Sequence, residues 1–485
     1  MKKAEDNKVV NATKWSTITE IAAKLITPIT TMVLARLLTP DAFGVLVTAT
    51  MVITFAEIFT DAGFQKYLIQ HPFKTESDLF ESTAVAFWSN LIFSLIVWII
   101  ISIFSSQIAH LVGSDGYGLV IAISSVCIPL EAFSSIQMAL FRRNFDFKTL
   151  FFVRIIGILV PLVITIPLAF FTHSYWSLII GMIAFNVCNA CILTVKSKWK
   201  PKWFYKFHLF KDMFSFTMWS MVEAVTIWLT SYVDVFLVGT ILNSYYMGIY
   251  RTAITTVAAI MAIVISATTP VLFSALSRLQ DNEDAFKHTF FSFQKNVGLL
   301  ILPLGTGIFL FRDFITKLLL GNQWTEASYF IGWWGLSSAI TIVLSHYCSE
   351  VYRAKGRPKY SVIAQMTHLC FLVPTVLYSI RFGFDTLCLY RSLVRATLIG
   401  INLYLIYRLV KIAPMDMFLN IFHSCMASVA MVLFYIILQL PSDIGVFLQI
   451  VAIAGCVIVY FACIFCFKDE RHIVMNFKSI IRKRI

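Results

Sequence analysis

Apolar residues recur along the chain in runs of about twenty, the length a helix needs to cross a hydrocarbon core of roughly 30 Å. Such windows fall at about 15 to 38, 43 to 69, 80 to 104, 118 to 140, 150 to 171, 176 to 195, 213 to 238, 246 to 275, 296 to 320, 329 to 352, 360 to 380, 386 to 407, 418 to 438 and 444 to 467. The pattern predicts an all-α polytopic membrane protein with about 14 transmembrane helices. No connection approaches the roughly fifty residues that an independent soluble domain needs, so the activity resides in the helices.

Composition agrees. Of the 485 residues, 59% are apolar and 13% charged, with a mean hydropathy of +0.80, which excludes a soluble globular protein. The net charge of +13 comes from Lys and Arg placed between the spans, as in the group Lys196, Lys198, Lys200, Lys202, Lys206 and Lys211. Most of the 39 basic residues fall in the N-terminal segment and after even-numbered spans, so positive-inside bias sets both termini in the cytoplasm. That placement also removes nucleic acid as a partner. Residues 1–14 are polar and the first apolar run lacks a cleavage signal, so it is expected to be retained as a helix. The ten cysteines lie inside apolar runs, where neither disulfides nor metal sites are expected.

A shift of 204 residues aligns Trp15-Ser16 with Trp219-Ser220, Leu38 with Leu242, Gly44 with Gly248, and Thr48-Ala49 with Thr252-Ala253. The shift covers six helices, so the copies run in the same sense and imply a pseudo-two-fold axis along the membrane normal. The expected organisation is an N-terminal lobe at 1–205 (spans 1 to 6), a C-terminal lobe at 206–412 (spans 7 to 12), spans 13 and 14 at 413–467, and a basic interfacial tail at 468–485. The substrate path is expected in a cavity between the halves.

Charges inside the spans are the candidate chemistry. They are Lys24, Arg154, Arg251, Arg391, Arg395, Glu20, Glu57, Asp61, Glu131, Glu223, Asp234 and Glu350. Each costs roughly 2.5 to 3.5 kcal/mol near the bilayer centre, so they must meet water, an anion or one another. Arg154 and Glu350 sit close enough to span ends to snorkel. Lys24, Arg251, Arg391 and Arg395 are the candidate substrate-binding cations. Arg391 and Arg395 share a face with Asn402 and suit an anion, the alternative being packing against another helix's carboxylate. Glu20 and Lys24 can pair within their helix. Glu57 and Asp61, one turn apart, with Glu223 and Asp234, are candidate carriers of a coupling ion; interhelical hydrogen bonding is the alternative. Seven prolines within spans (28, 129, 161, 167, 270, 303 and 374) predict kinks. His346, His368 and His423 are read as core residues. No nucleophile elbow, Walker loop or zinc-protease motif is present, so no catalytic residue, metal or cofactor is expected beyond a coupling H+ or Na+.

The stretch Leu34 to Gln70 (LARLLTPDAFGVLVTATMVITFAEIFTDAGFQKYLIQ) resembles the start of bacterial Wzx-type polysaccharide flippases. Similarity continues in SYVDVFLVGTILNSYYMGIYRTA (231–253), PVLFSALSRLQDNEDAFK (270–287) and LLLGNQW (318–324), while the last four spans match in hydropathy alone. The resemblance implies the multidrug, oligosaccharidyl-lipid and polysaccharide exporter fold of two six-helix lobes and two extra helices. It also implies a carrier, not an enzyme, in the bacterial cytoplasmic (inner) membrane. Its substrates would be undecaprenyl-pyrophosphate-linked oligosaccharides, moved to the outer leaflet by alternating access for surface polysaccharide assembly. Membrane lipids, a polysaccharide polymerase and glycosyltransferases are the implied partners. A multidrug or cation exporter of the same superfamily, or a polytopic glycosyl polymerase or ligase, is the alternative.

Overall fold

The computed structural model describes residues 15, 23, 26–61, 63–439, 445–468, 470, 471 and 475, excluding the side chains of residues 61, 215–220, 222 and 223. Every regular element among them is helical. In chain order these are α1 (Ile26–Leu37), α2 (Pro40–Asp61), α3 (Phe64–Gln70), α4 (Glu76–Ile103), α5 (Ser105–Leu111), α6 (Gly118–Ser124), α7 (Cys127–Arg143), α8 (Phe147–Val160), α9 (Ile166–Thr172), α10 (Trp176–Lys196) and α11 (Phe207–Ile241). There follow α12 (Ser244–Arg278), α13 (Glu283–Leu310), α14 (Arg312–Leu319), α15 (Ala327–Thr341), α16 (Cys348–Ala354), α17 (Lys359–Ser379), α18 (Phe384–Leu393), α19 (Arg395–Val410), α20 (Pro414–Asn420), α21 (Phe422–Ile437) and α22 (Val446–Phe465).

Among the described residues twelve helices are long and apolar enough to cross a membrane, or thirteen with α20 and α21, bent by 52°, taken as one span. The expected first span lies partly outside the described residues, and α1 is its described part. The expected 468–485 tail also falls mostly outside them. The chain divides into two compact units, Met1–Arg251 and Thr252–Ile485.

Helix starts are fixed by side chains where water would otherwise compete. Thr75 and Asp78 form a capping box on α4, with the Asp78 N–H donating to Thr75 Oγ1 (3.0 Å) and the Thr75 N–H to Asp78 Oδ2 (3.2 Å). Asp146 caps α8 and Asn282 caps α13 by accepting from the backbone N–H of Thr149 and Ala285. Arg143 closes the other end of α3, donating to the carbonyls of Leu68 (2.7 Å) and His71 (2.9 Å) at the negative end of that helix.

In the first unit α2 packs against α4, α6, α7 and α11. Near its start, α2 meets the start of α12 at Gly44 and Gly248, the glycines matched by the sequence repeat. A Cβ on Gly44 would overlap the Ser244 carbonyl oxygen, and one on Gly248 the Pro40 carbonyl oxygen. Only glycine permits this approach. Asp41 ties the crossing laterally, accepting from Ser244 Oγ (2.5 Å) and Tyr117 Oη (2.7 Å).

In the second unit α13 lies along α15, with Gly305 against Gly335 and Ala339, and α21 pairs with α22. Pro161 opens a π-helical turn at Pro161–Thr165, as expected of an in-span proline, whereas helix runs uninterrupted through Pro270, Pro303 and Pro374. A second π turn, Ile342–His346, contains no proline. Glu350 does not snorkel: it is 1% exposed and accepts from Arg353 Nη2 at 2.7 Å, because the i, i+3 spacing supplies a cation within its own helix.

Beyond α22, Glu470 is also 1% exposed. Its Oε1 meets Lys295 Nζ at 2.9 Å and His423 Nδ1 at 2.8 Å, while the His423 ring stacks on Phe467 at 4.0 Å. Burial by itself would raise the Glu470 carboxyl, but hydrogen bonds from Lys295 and His423 outweigh it and hold the group below its ordinary value. The resulting stabilisation is complete above the ordinary carboxylate range and is lost as pH falls through the lowered value of the folded state. Glu470→Ala should destabilise the purified protein by about 2 kcal/mol and remove this acid-side dependence. An unchanged thermal midpoint across that pH range would show that the contact contributes nothing.

Candidate functional site

Residues at i, i+4, i+7, i+11 and i+15 of a helix fall on one face. In the span formed by α15, the π turn and α16, these positions are Trp334, Ser338, Thr341, Ser345 and Ser349, a stripe of one indole and four hydroxyls. The π turn re-aims its end, bringing Ser345 and His346 to the wall of a cavity of about 260 Å³. Ser361 and Gln365 of α17 and Arg395 and Asn402 of α19 line the same cavity.

The expected cations Arg391 and Arg395 converge on this stripe. Their guanidinium carbons lie 4.8 and 4.2 Å from the centroid of the Trp334 indole. Arg395 Nη1 also donates to Ser338 Oγ at 2.5 Å. One indole ring therefore seats two like charges, through cation–π attraction that gains strength out of water. The two differ in access. Arg391 is 7% exposed, whereas Arg395 lines the cavity.

Asn402, expected on the arginine face, donates to Ser345 Oγ (2.8 Å) and accepts from Tyr352 Oη (2.9 Å), holding α19 to the π turn. Nε2 of His346 meets no hydrogen-bond partner among the described residues. His368, by contrast, is bonded to Thr397 Oγ1 at 2.9 Å. The arrangement can accept an anion at Arg395 and hydroxyl groups at the surrounding Ser and Gln side chains.

The remaining candidates lie in the first unit. Arg251 donates to the Ser231 carbonyl (3.2 Å) and stands 4.8 Å over the Tyr232 ring. Tyr232 stacks on Trp228 at 5.5 Å, and Trp228 packs on Phe55 at 4.8 Å, so a cation sits at the end of an aromatic ladder joining α11 and α2. Asp234 is 3% exposed and accepts from Tyr250 Oη at 2.8 Å across the α11–α12 hairpin. Glu57 is half-buried on α2. Lys24 and Glu20 lie outside the described residues, as do the side chains of Asp61 and Glu223. Arg154 and Glu131 are exposed.

Trp334 and the hydroxyl stripe were not singled out by charge, because neither Trp nor Ser is ionisable. The signal was present in their helical spacing.

The architecture is that of a multi-pass helical membrane protein. It superposes on the lipid II flippase MurJ in an inward closed conformation with a TM-score of 0.74 at 15% identity, covering 94% of this chain and 99% of that one. The chain belongs to the polysaccharide biosynthesis protein family, whose pattern it matches over residues 33–329. This confirms the resemblance seen in the sequence; Arg391 and Arg395 lie beyond the matched residues. An uncharacterised membrane protein in the cps region of Klebsiella pneumoniae is 20% identical over 375 residues, 77% of this chain and 76% of that protein. ExoT, a succinoglycan biosynthesis transport protein of Rhizobium meliloti, is 22% identical over 328 residues, 67% of this chain and just under two thirds (65%) of its own length.

The unequal access of the two arginines is measurable. In a background without the ten native cysteines, Arg395→Cys should react readily with a membrane-impermeant, water-soluble thiol reagent in detergent, and Arg391→Cys about tenfold more slowly, as its burial requires. Equal rates would place both side chains in the same environment and contradict the geometry.

Proposed function

We propose that this protein is a flippase that moves undecaprenyl-pyrophosphate-linked oligosaccharide repeat units from the inner to the outer leaflet of the bacterial cytoplasmic membrane. The observation that carries the reading is Arg395, seated on Trp334 and opening onto a cavity rimmed by Ser, Gln, Asn and His side chains. A diphosphate joined to a sugar offers the complementary groups: oxygens that a guanidinium holds in a fork, and hydroxyls that donate and accept. Membership of the polysaccharide biosynthesis family, a relative named for succinoglycan transport and the MurJ fold support the same assignment.

Both termini then lie in the cytoplasm, where glycosyltransferases supply the substrate; a polysaccharide polymerase consumes it on the far side. The repeat-related halves (1–205 and 206–412) expose their cations, Lys24 and Arg251 with Arg391 and Arg395, alternately to the two sides while the polyprenyl tail remains in lipid. With no nucleotide-binding motif in the sequence, a proton or sodium gradient drives the cycle. Among the coupling candidates Glu57 ranks first, ahead of Asp61 and Glu223. Asp234 ranks last, because its hydrogen bond to Tyr250 already gives it a structural role.

A multidrug exporter of organic cations fits less well, since such substrates would be repelled at Arg391 and Arg395. A polymerase or ligase would need catalytic residues in a large outer loop, and the sequence has none.

The test is transport of a fluorescent lipid-linked diphosphate sugar in proteoliposomes with imposed pH or sodium gradients. Arg395→Ala should reduce flux about 10- to 100-fold, the worth of a charge-assisted bidentate contact, and Arg395→Lys by less. Glu57→Gln should remove the gradient dependence. Full flux in Arg391→Ala/Arg395→Ala, with normal protein levels, would remove the pair from the site.

A further inference from the structure

At the basic end of the first unit, four helix ends surround a cavity of about 690 Å³ that the transport reading does not use. The start of α4 contributes Glu76 and Phe80, the turn between α7 and α8 contributes Asn144 and Asp146, and the end of α10 contributes Lys196, Lys198 and Trp199. Its inner wall is apolar, formed by Leu79, Phe80, Leu140 and Phe141. All four helices are apolar spans, so the cavity stands at the level where hydrocarbon gives way to water.

Two lysines and two carboxylates therefore face one half-open space. None of the four is in an ion pair among the described residues. Asp146 accepts from the Thr149 backbone N–H (3.1 Å) and from Thr149 Oγ1 (2.8 Å), which leaves acceptor capacity on each oxygen. Trp199, 8% exposed, closes the inner wall.

We infer that this cavity binds the headgroup of a zwitterionic phospholipid, phosphatidylethanolamine, from the surrounding leaflet. The phosphate lies between Lys196 and Lys198. The primary ammonium lies against Glu76 and Asp146, and the first acyl carbons against Phe80 and Leu140. A headgroup with the phosphate alone would satisfy the lysines and leave Glu76 and Asp146 without a cation. The site needs neither the proposed orientation nor the proposed substrate, since the charges recognise the lipid in either leaflet.

Native mass spectrometry of the delipidated full-length protein in mild detergent tests this, with phosphatidylethanolamine, phosphatidylglycerol and undecaprenyl diphosphate as probes. The ethanolamine lipid should bind about tenfold more tightly than the glycerol lipid, the effect of one added charge-assisted hydrogen bond. Glu76→Gln/Asp146→Asn should abolish that preference; Asn retains the α8 cap, so folding is preserved. Lys196→Gln/Lys198→Gln should weaken both phospholipids about tenfold. Equal binding of the two phospholipids to the wild-type protein, or unchanged ethanolamine-lipid binding in either double variant, would overturn the assignment. Displacement of phosphatidylethanolamine by equimolar undecaprenyl diphosphate would likewise overturn it and give the cavity to the transported lipid.

Discussion

A guanidinium inside an apolar helix bundle must recover from the protein what water would have supplied, and here an indole provides it. Trp334 lies under both Arg391 and Arg395, and Ser338, one turn further along, receives a hydrogen bond from Arg395. The seat brings two positive charges together in the second unit. The ring positions the guanidiniums, and Arg395 lines the cavity. The helices around it are arranged to keep that geometry. Asn402 bonds the π turn to α19, and Gly305 lets α13 run close along α15, the helix that carries Trp334.

The first unit solves a different problem, how two helices approach with only carbonyls between them. The internal repeat makes Pro40 the counterpart of Ser244 and Gly44 the counterpart of Gly248. In the structure Gly44 faces the Ser244 carbonyl and Gly248 the Pro40 carbonyl, so the crossing is reciprocal with respect to the repeat. Small residues give such a contact shape complementarity with few side-chain ties; Asp41 with Ser244 and Tyr117 is one of them. Alternating exposure of the cations, as proposed, calls for contacts of this kind, close in one state and separable at small cost.

Much of the fold was legible in the sequence. Runs of apolar residues located the spans, and the repeat paired Gly44 with Gly248, though not their contact. Charge counting found Arg391, Arg395 and Arg251, because an ionised group in a span has few alternatives to a specific partner. It could not find Trp334 or the hydroxyls at 338, 341, 345 and 349, since Ser and Thr are common in apolar helices and bond back to their own backbone. Nor could it foresee the π turn at Ile342–His346, which carries no Pro or Gly to mark it. Glu350 and Arg353 show the opposite case: a residue read as snorkelling is buried, because the partner lay three residues away on the same helix. Asp234 was found by its charge and placed against Tyr250, a partner that sequence spacing across a hairpin does not disclose.

The central claim is that the arginine seat recognises a diphosphate. Equilibrium binding of undecaprenyl diphosphate and of uncharged undecaprenol to the purified protein tests it without requiring transport. The account predicts that the diphosphate binds the wild-type protein at least about tenfold more tightly, that the difference shrinks as salt is raised, and that Arg395→Ala largely removes it. Equal affinity for the two lipids, or a preference for the diphosphate that survives Arg395→Ala unchanged, would contradict it.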